Sequence, residues 1–457
     1  MTETAARRGV AAEGPSRRAV VADTAARRGV AAALALMALA MVVPPVFRWD
    51  VHAGSIAPLI AGWRARVGPG TLPAVALGVA AVRWGPRLGA ALPWRRLLLL
   101  AYAGSAGWLV SLATVDGWAG IGDILNDPNE YLDTARRVTG VSALLHHFIA
   151  RIPLDSAHSW PTHVAGHPPG ALLFFVGLDR LGLGSGLAAG VAVVLIAATT
   201  PLAVLVTLRR LAAEDDARRV APLLVIGPAA IWMAVSADAM FGAVAGWGLC
   251  CLAVAATSTA YTRIVGWGLL AGLLLGCCVL LSYGLPLLGA LAVAILAAAR
   301  SARPLPWALA AAGAVVLTFA AAGFAWWRAL PVLRERYYAG VASMRPAGYW
   351  VWADLAALCF SAGPLLGASV AVVASRLRTR RMEGGRAVPL LVLGAVVCVV
   401  LADLSFMSKA ETERIWLPFV PWLLLGAALL PDGWRRRALA GQAAFAVAVQ
   451  TLLLTHW

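Results

Sequence analysis

The sequence predicts an all-α fold, a polytopic bundle of about thirteen transmembrane helices. Three observations predict it. The chain is 61% hydrophobic with a mean hydropathy of +0.79, well above the apolar share of a soluble domain. Apolar runs close to the length that crosses a bilayer recur along most of it. The short alternating segments of a membrane β-barrel are missing. No segment outside the apolar runs is long or apolar enough to build a separate soluble core, so residues 29–457 read as a single transmembrane domain.

Residues 1–28 are rich in Ala and Arg without an apolar period, and the stretch Ala5–Ala12 recurs as Ala25–Ala32. They are expected to form a disordered basic cytoplasmic tail. The run after Arg28 is long enough to span and carries no clear small-residue cleavage site, so it reads as a retained first helix. Spans are expected at 29–47, 69–86, 97–115, 186–207, 220–236, 239–258, 264–281, 284–299, 306–326, 353–375, 388–405, 415–430 and 438–455. The run at 69–86 is interrupted by Pro73, Arg83 and Pro86. Gly170–Leu178 is apolar but stops at Asp179-Arg180. It is too short to cross, and 170–181 is expected to lie at the interface.

Charge sets the orientation. The net charge of +16 comes from 38 Lys+Arg against 22 Asp+Glu, and Lys409 is the only lysine. Nucleic acid would be one partner for such a charge, but the cations sit in short loops between apolar runs, where they place loops in the cytoplasm instead. With 170–181 not crossing, the loops at 208–219, 263, 300–303, 376–386 and 435–437 share one side and hold most of the arginines after residue 182. The opposite loops after residue 182 hold only Arg328, Arg334, Arg336, Arg345, Lys409 and Arg414. The N-terminus is then cytoplasmic, and the C-terminus lies outside a plasma membrane. Cys250, Cys251, Cys277, Cys278, Cys359 and Cys398 all fall inside apolar runs and read as small buried hydrophobes.

This topology gathers the polar segments 116–169, 327–352 and 406–414 on the outer face, with the turn at Asp238. Acids and imidazoles beside lipid are costly and mark a candidate site. Asp127, Glu130 and Asp133 lie within one or two turns if Glu130–Val138 is helical. In that case Asp127 suits the N-cap and Pro128 the first turn, and Asp133 pairs with Arg136 or Arg137. Glu130, among apolar neighbours, suits a general base. His163 and His167 flank Gly166, with Pro168-Pro169 following. Two histidines and a carboxylate can bind zinc, but no third ligand has a diagnostic spacing, so no metal site is expected. Lys409, Glu411, Glu413 and Arg414 crowd the start of an apolar run, and Arg334, Arg336, Tyr337 and Tyr338 form a second basic-aromatic group. Arginine is suited to gripping phosphate. There is no glycine-rich phosphate loop, nucleophile elbow or zincin helix.

At Asp127-Pro-Asn-Glu130-Tyr131, His167-Pro168-Pro169 and Asp238 the chain resembles the GT-C superfamily of polytopic glycosyltransferases. The branch related to aminoarabinose transferases and protein O-mannosyltransferases is the most similar. Counted back from Tyr131, the family's Asp-Glu pair is replaced by Pro128 and Asn129, so Glu130 or Asp127 takes the acid's role. The resemblance implies a sugar donor on polyprenyl phosphate and a lipid, glycan or protein acceptor outside the cell, and it leaves the need for a divalent cation open. It implies Glu130 or Asp127 as base and Asp238 as an orienting acid. Tyr131, His163 and His167 would contact substrate, and Arg336, Lys409, Glu413 and Arg414 would line the site of the departing phosphate. Two other classes fit the composition: a transporter or lipid flippase, and a noncatalytic membrane protein of envelope assembly.

Overall fold

Helices carry most of the chain, and the computed structural model describes residues 17–378 and 385–455 of it. In chain order the principal elements are α1 (Arg17–Phe47), the strand β1 (Ala61–Trp63), α2 (Thr71–Ala91), α3 (Trp94–Ala113), and three short helices of the polar segment, α4 (Leu132–Arg136), α5 (Thr162–Gly166) and α6 (Pro169–Leu178). There follow α7 (Gly186–Ala197), α8 (Thr200–Arg210), α9 (Glu214–Val225), α10 (Ala237–Ala256), α11 (Tyr261–Leu281), α12 (Gly289–Ala299), α13 (Leu305–Ala321) and α14 (Trp326–Ala339). The chain ends with α15 (Ala347–Ala362), α16 (Leu365–Arg378), α17 (Ala387–Leu404), α18 (Trp434–Leu452) and β2 (Leu453–Thr455). The two strands pair antiparallel, Ala61 opposite Thr455.

Among the described residues six helices are long and apolar enough to cross a membrane: Ala19–Phe47, Trp94–Asp116, Gly186–Arg210, Ala237–Ala256, Tyr261–Leu281 and Ala387–Leu404. The number rises to eight if each of two bent pairs is one span. These pairs are α13 with α14, bent by 71°, and α15 with α16, bent by 107° at Gly363-Pro364. This falls short of the expected thirteen, for local reasons. The 220–236 run breaks at Gly227-Pro228, where proline cannot donate to the helix. The 415–430 run, with Pro418 and Pro421, becomes single turns and 3-10 segments. Arg83 and Arg87 interrupt α2, and Arg435, Arg436 and Arg437 open α18.

The first helix corrects the expected tail. It begins at Arg17, so part of the segment read as disordered is helical. Alanine-rich sequence favours this, and the Asp23–Arg27 pair at 2.7 Å adds an i,i+4 contact. Residues 1–16 of the expected tail, and Arg380 and Arg381 of the basic loop, lie outside the described residues.

Small residues set the helix spacing. Ala26, Gly29, Ala33, Met37 and Ala40 form one buried stripe of α1, and Gly29 and Gly367 bring α1 and α16 together backbone to backbone. A Cβ on either would run into the other's carbonyl. Leu34, Leu39 and Val42 of the same helix point outward. An apolar outer face over a small-residue seam is the pattern of helices packed within lipid. Gly29→Val should therefore destabilise the bundle by ~1–3 kcal/mol, whereas Gly313→Val, where nothing stands within 4 Å of the added carbon, should leave the melting temperature in detergent nearly unchanged. Equal melting of the two variants would refute this packing.

Candidate active site

Each side chain of the site is delivered by a local rule. Asp127 Oδ1 accepts from the Asn129 backbone N–H at 2.8 Å and its side-chain amide at 3.1 Å, and the Glu130 N–H donates to the Asp127 carbonyl at 2.9 Å. This Asx turn replaces the expected helix from Glu130 to Val138; the helix starts only at Leu132. Asp133 pairs with Arg137 at 2.6 Å. His167 closes α5, and Pro169 opens α6 at the position where a missing N–H costs least. Ser236 caps α10 and leaves Asp238 in its first turn, where the helix dipole favours an acid.

The turn and the histidine segment are pinned together. The His163 N–H donates to the Asn129 carbonyl at 3.1 Å, and Thr162 Oγ1 lies 3.1 Å from Asn129 Oδ1. This brings His163 Nδ1 to 2.8 Å from Glu130 Oε1. Glu130 is 3% exposed, and its Oε2 has no hydrogen-bond partner among the described residues. Burial pushes the Glu130 carboxyl up. The charge and hydrogen bond of His163, with Arg414 and His167 behind them, outweigh burial and hold it below its ordinary value. Glu130 is thus a buried carboxylate with one oxygen held and one unpartnered.

Tyr131, fully buried and stacked on Phe175 at 5.2 Å, places its hydroxyl 2.7 Å from His167 Nδ1. The same nitrogen is 2.9 Å from the His163 carbonyl. With a hydrogen on Nδ1 it donates to that carbonyl; without one it accepts from Tyr131, so the tautomer decides which of the two bonds forms. Burial, helped by Arg414 and His163 and opposed by Asp238, pushes the imidazole pKa down. The Tyr131 hydroxyl is held well above its usual value by burial and by the Glu130 and Asp238 charges. Both groups are neutral hydrogen-bonding partners at neutral pH.

Arg414 closes the cluster. Its Nη1 is 2.8 Å from Asp238 Oδ2 and its Nη2 is 3.3 Å from Glu411 Oε2. Burial opposes its charge, but Asp238, Glu411 and Glu130 more than restore it and raise its pKa. Arg345 stands behind, 3.9 Å from Glu411 Oε1. The loop is held in strained backbone. Ala410 and Glu411 have φ of 71° and 62°, a region disfavoured for side chains other than glycine, while the Ala410 N–H is held by Asp354 Oδ1 at 2.9 Å.

Three of the expected residues stand elsewhere. Asp127 is exposed and serves its own turn. Lys409 points its ammonium at the carbonyls of Ala342 and Arg345, at 3.2 and 3.1 Å. Arg336 donates to the carbonyls of Ile152 and Trp160 and to Ser159 Oγ. Both cations tie loops together. Glu413 is fully buried, and neither carboxyl oxygen makes a hydrogen bond of good geometry. Sequence reasoning passed over Asp354 and Arg345, which hold the loop from behind; a lone acid in an apolar run was the available signal for Asp354. Among the described residues no group of three His, Cys, Asp or Glu side chains is placed to hold a metal ion.

No protein-family model matches the chain, and no curated protein matches it significantly. Among solved structures, it is similar to an oligosaccharyltransferase of Archaeoglobus fulgidus, crystallised with zinc and sulfate, at a TM-score of 0.43 and 13% identity over 78% of this chain and 53% of that one. The chain spans about half the length of that enzyme.

Burial, reinforced by Glu411 and opposed by nearby amides and Arg414, pushes the Glu413 carboxyl up to about 7. An acid whose pKa is raised by folding contributes stability below its unfolded pKa and loses it as pH rises through the folded one. Glu413→Gln should therefore gain stability over wild type as pH goes from 5 to 8, on the order of 2–3 kcal/mol at about 1.4 kcal/mol per pKa unit. Thermal melting of the detergent-solubilised pair across that range measures it; a difference that does not change with pH would show the carboxyl to be ordinary.

Proposed function

We propose that the protein is a membrane glycosyltransferase that moves a sugar from a polyprenyl-phosphate carrier to a hydroxyl of a lipid, glycan or protein on the outer face of the plasma membrane. The observation that supports this best is the state of Glu130: ionised, buried, fixed by His163 through one oxygen and unpartnered at the other. An acceptor hydroxyl presented to Oε2 would give up its proton there as its oxygen attacks the anomeric carbon. The bond from that carbon to the carrier phosphate breaks with both electrons going to phosphate. Arg414 is the cation in the cluster that the developing charge would meet, and Asp238 and Glu411 aim it. His167 and Tyr131, neutral and hydrogen-bonded to each other, suit sugar hydroxyls. In this reading Asp238 is a positioning residue, and Arg336 and Lys409 hold the loops. In this reading the N-terminus is cytoplasmic, the side that the arginine-rich loops favour. No nucleic acid is involved.

The test is transfer from a panel of radiolabelled polyprenyl-phosphate sugars by the purified full chain. Glu130→Gln should lower turnover by about 100- to 10,000-fold, the range for a positioned general base. Asp127→Asn should keep turnover within about threefold of wild type, as for an exposed side chain that only supports a turn. Because the Glu130 pKa is held down, wild-type turnover should fall with acid only below the ordinary carboxylate range. Unchanged transfer by Glu130→Gln would remove this mechanism.

A further inference from the structure

We infer that the groove between α2 and α18 is a binding site for one anionic phospholipid of the surrounding bilayer. The two helices run antiparallel. Gly78 lies against Ala443, Gly85 near Leu439, and the Arg66 N–H just before α2 bonds the Thr451 carbonyl at the end of α18. Small side chains on both helices, Ala74, Gly78, Ala443 and Ala444 among them, leave an apolar cavity of about 630 Å³ between them. That volume is typical of a small-molecule site. Val75, Val79, Ala440, Ala444 and Ala448 on its rim are exposed, so the groove opens sideways, toward lipid if these helices lie in the membrane.

The groove has a charged end. Arg83 of α2 and Arg436 near the start of α18 both line it, and the antiparallel packing puts them at the same end. Both are exposed, and among the described residues neither side chain makes a hydrogen bond or ion pair. The neighbouring Arg435, by contrast, pairs with Asp432 at 2.7 Å. From Ala74 to Arg83 the α2 backbone rises ~14 Å at 1.5 Å per residue, a length that suits one extended acyl chain. Two guanidinium groups without partners at one end of an acyl-sized apolar slot match a phosphate diester attached to a hydrocarbon chain. By the arginine distribution this is the cytoplasmic leaflet. The site is separate from the Glu130–Arg414 cluster and does not rest on the proposed reaction.

The full chain, purified in a neutral detergent, is titrated with phosphatidylglycerol, phosphatidylcholine or a polyprenyl phosphate and examined by native mass spectrometry and thermal melting. Wild type should retain a single phosphatidylglycerol and melt higher with it than with phosphatidylcholine. Arg83→Gln with Arg436→Gln should weaken that retention by about 25-fold, at roughly fivefold for each basic residue near an anionic head group. Ala444→Trp, which fills the slot, should abolish it, while the melting temperature of both variants without lipid stays near that of wild type. Equal retention of the two phospholipids, equal retention by wild type and the double arginine variant, or preference for polyprenyl phosphate over phosphatidylglycerol would each overturn the assignment.

Discussion

The buried pair of Asp238 and Arg414 is the contact on which the polar half of the molecule depends. Both side chains are 3% exposed and their charged atoms are 2.8 Å apart. Removing one partner of such a pair strands the other charge, a loss of about 3–5 kcal/mol. The pair also joins parts of the chain far apart in sequence. Asp238 stands in the first turn of α10, and Arg414 ends a loop whose backbone is held in left-handed conformations. That loop could not keep this shape alone. The Arg414 contacts on one side and the Asp354–Ala410 hydrogen bond on the other keep it there.

The remaining cations of the polar segments bind carbonyls more than carboxylates. Arg336 holds the 152–160 stretch, Lys409 the 342–345 turn, and Arg345 the Lys409 and His52 carbonyls. A loop lying over an apolar bundle has backbone groups that neither helix nor water satisfies. A long cationic side chain reaching several carbonyls supplies the missing donors. The arginines in these segments are therefore spent largely on folding them, and Arg414 is the one directed at acids near Glu130.

Much of this was legible in the sequence. The main apolar helices follow from length and hydropathy alone. Glu130, His163, His167 and Asp238 stood out because each is a polar group in an apolar chain, and they do gather. What failed did so where tertiary contacts decide. Spacing could not separate Asp127 from Glu130, since both fit one face of a helix that never forms there. Nor could it tell that the donors of Lys409 and Arg336 are already engaged, because their acceptors are main-chain carbonyls, which every residue carries. The thirteen expected spans counted hydropathy without weighing Pro228, Pro418 and Pro421, which break runs that composition alone would let cross.

The two acids at the centre of the cluster are held in different ways. Asp238 is held by an arginine that is itself held by Glu411, and that arrangement resists any change of partner. Glu130 is held by an imidazole through a single oxygen, and its second oxygen is buried yet unpartnered. A buried acceptor without a donor costs about 1–3 kcal/mol, so the fold bears a local penalty at Glu130 while satisfying Asp238. A second donor would remove that penalty; the Tyr131 hydroxyl stands instead 2.7 Å from His167 Nδ1. The fold thus leaves Glu130 the less satisfied of the two acids, and the proposed role of Glu130 as base draws on that difference.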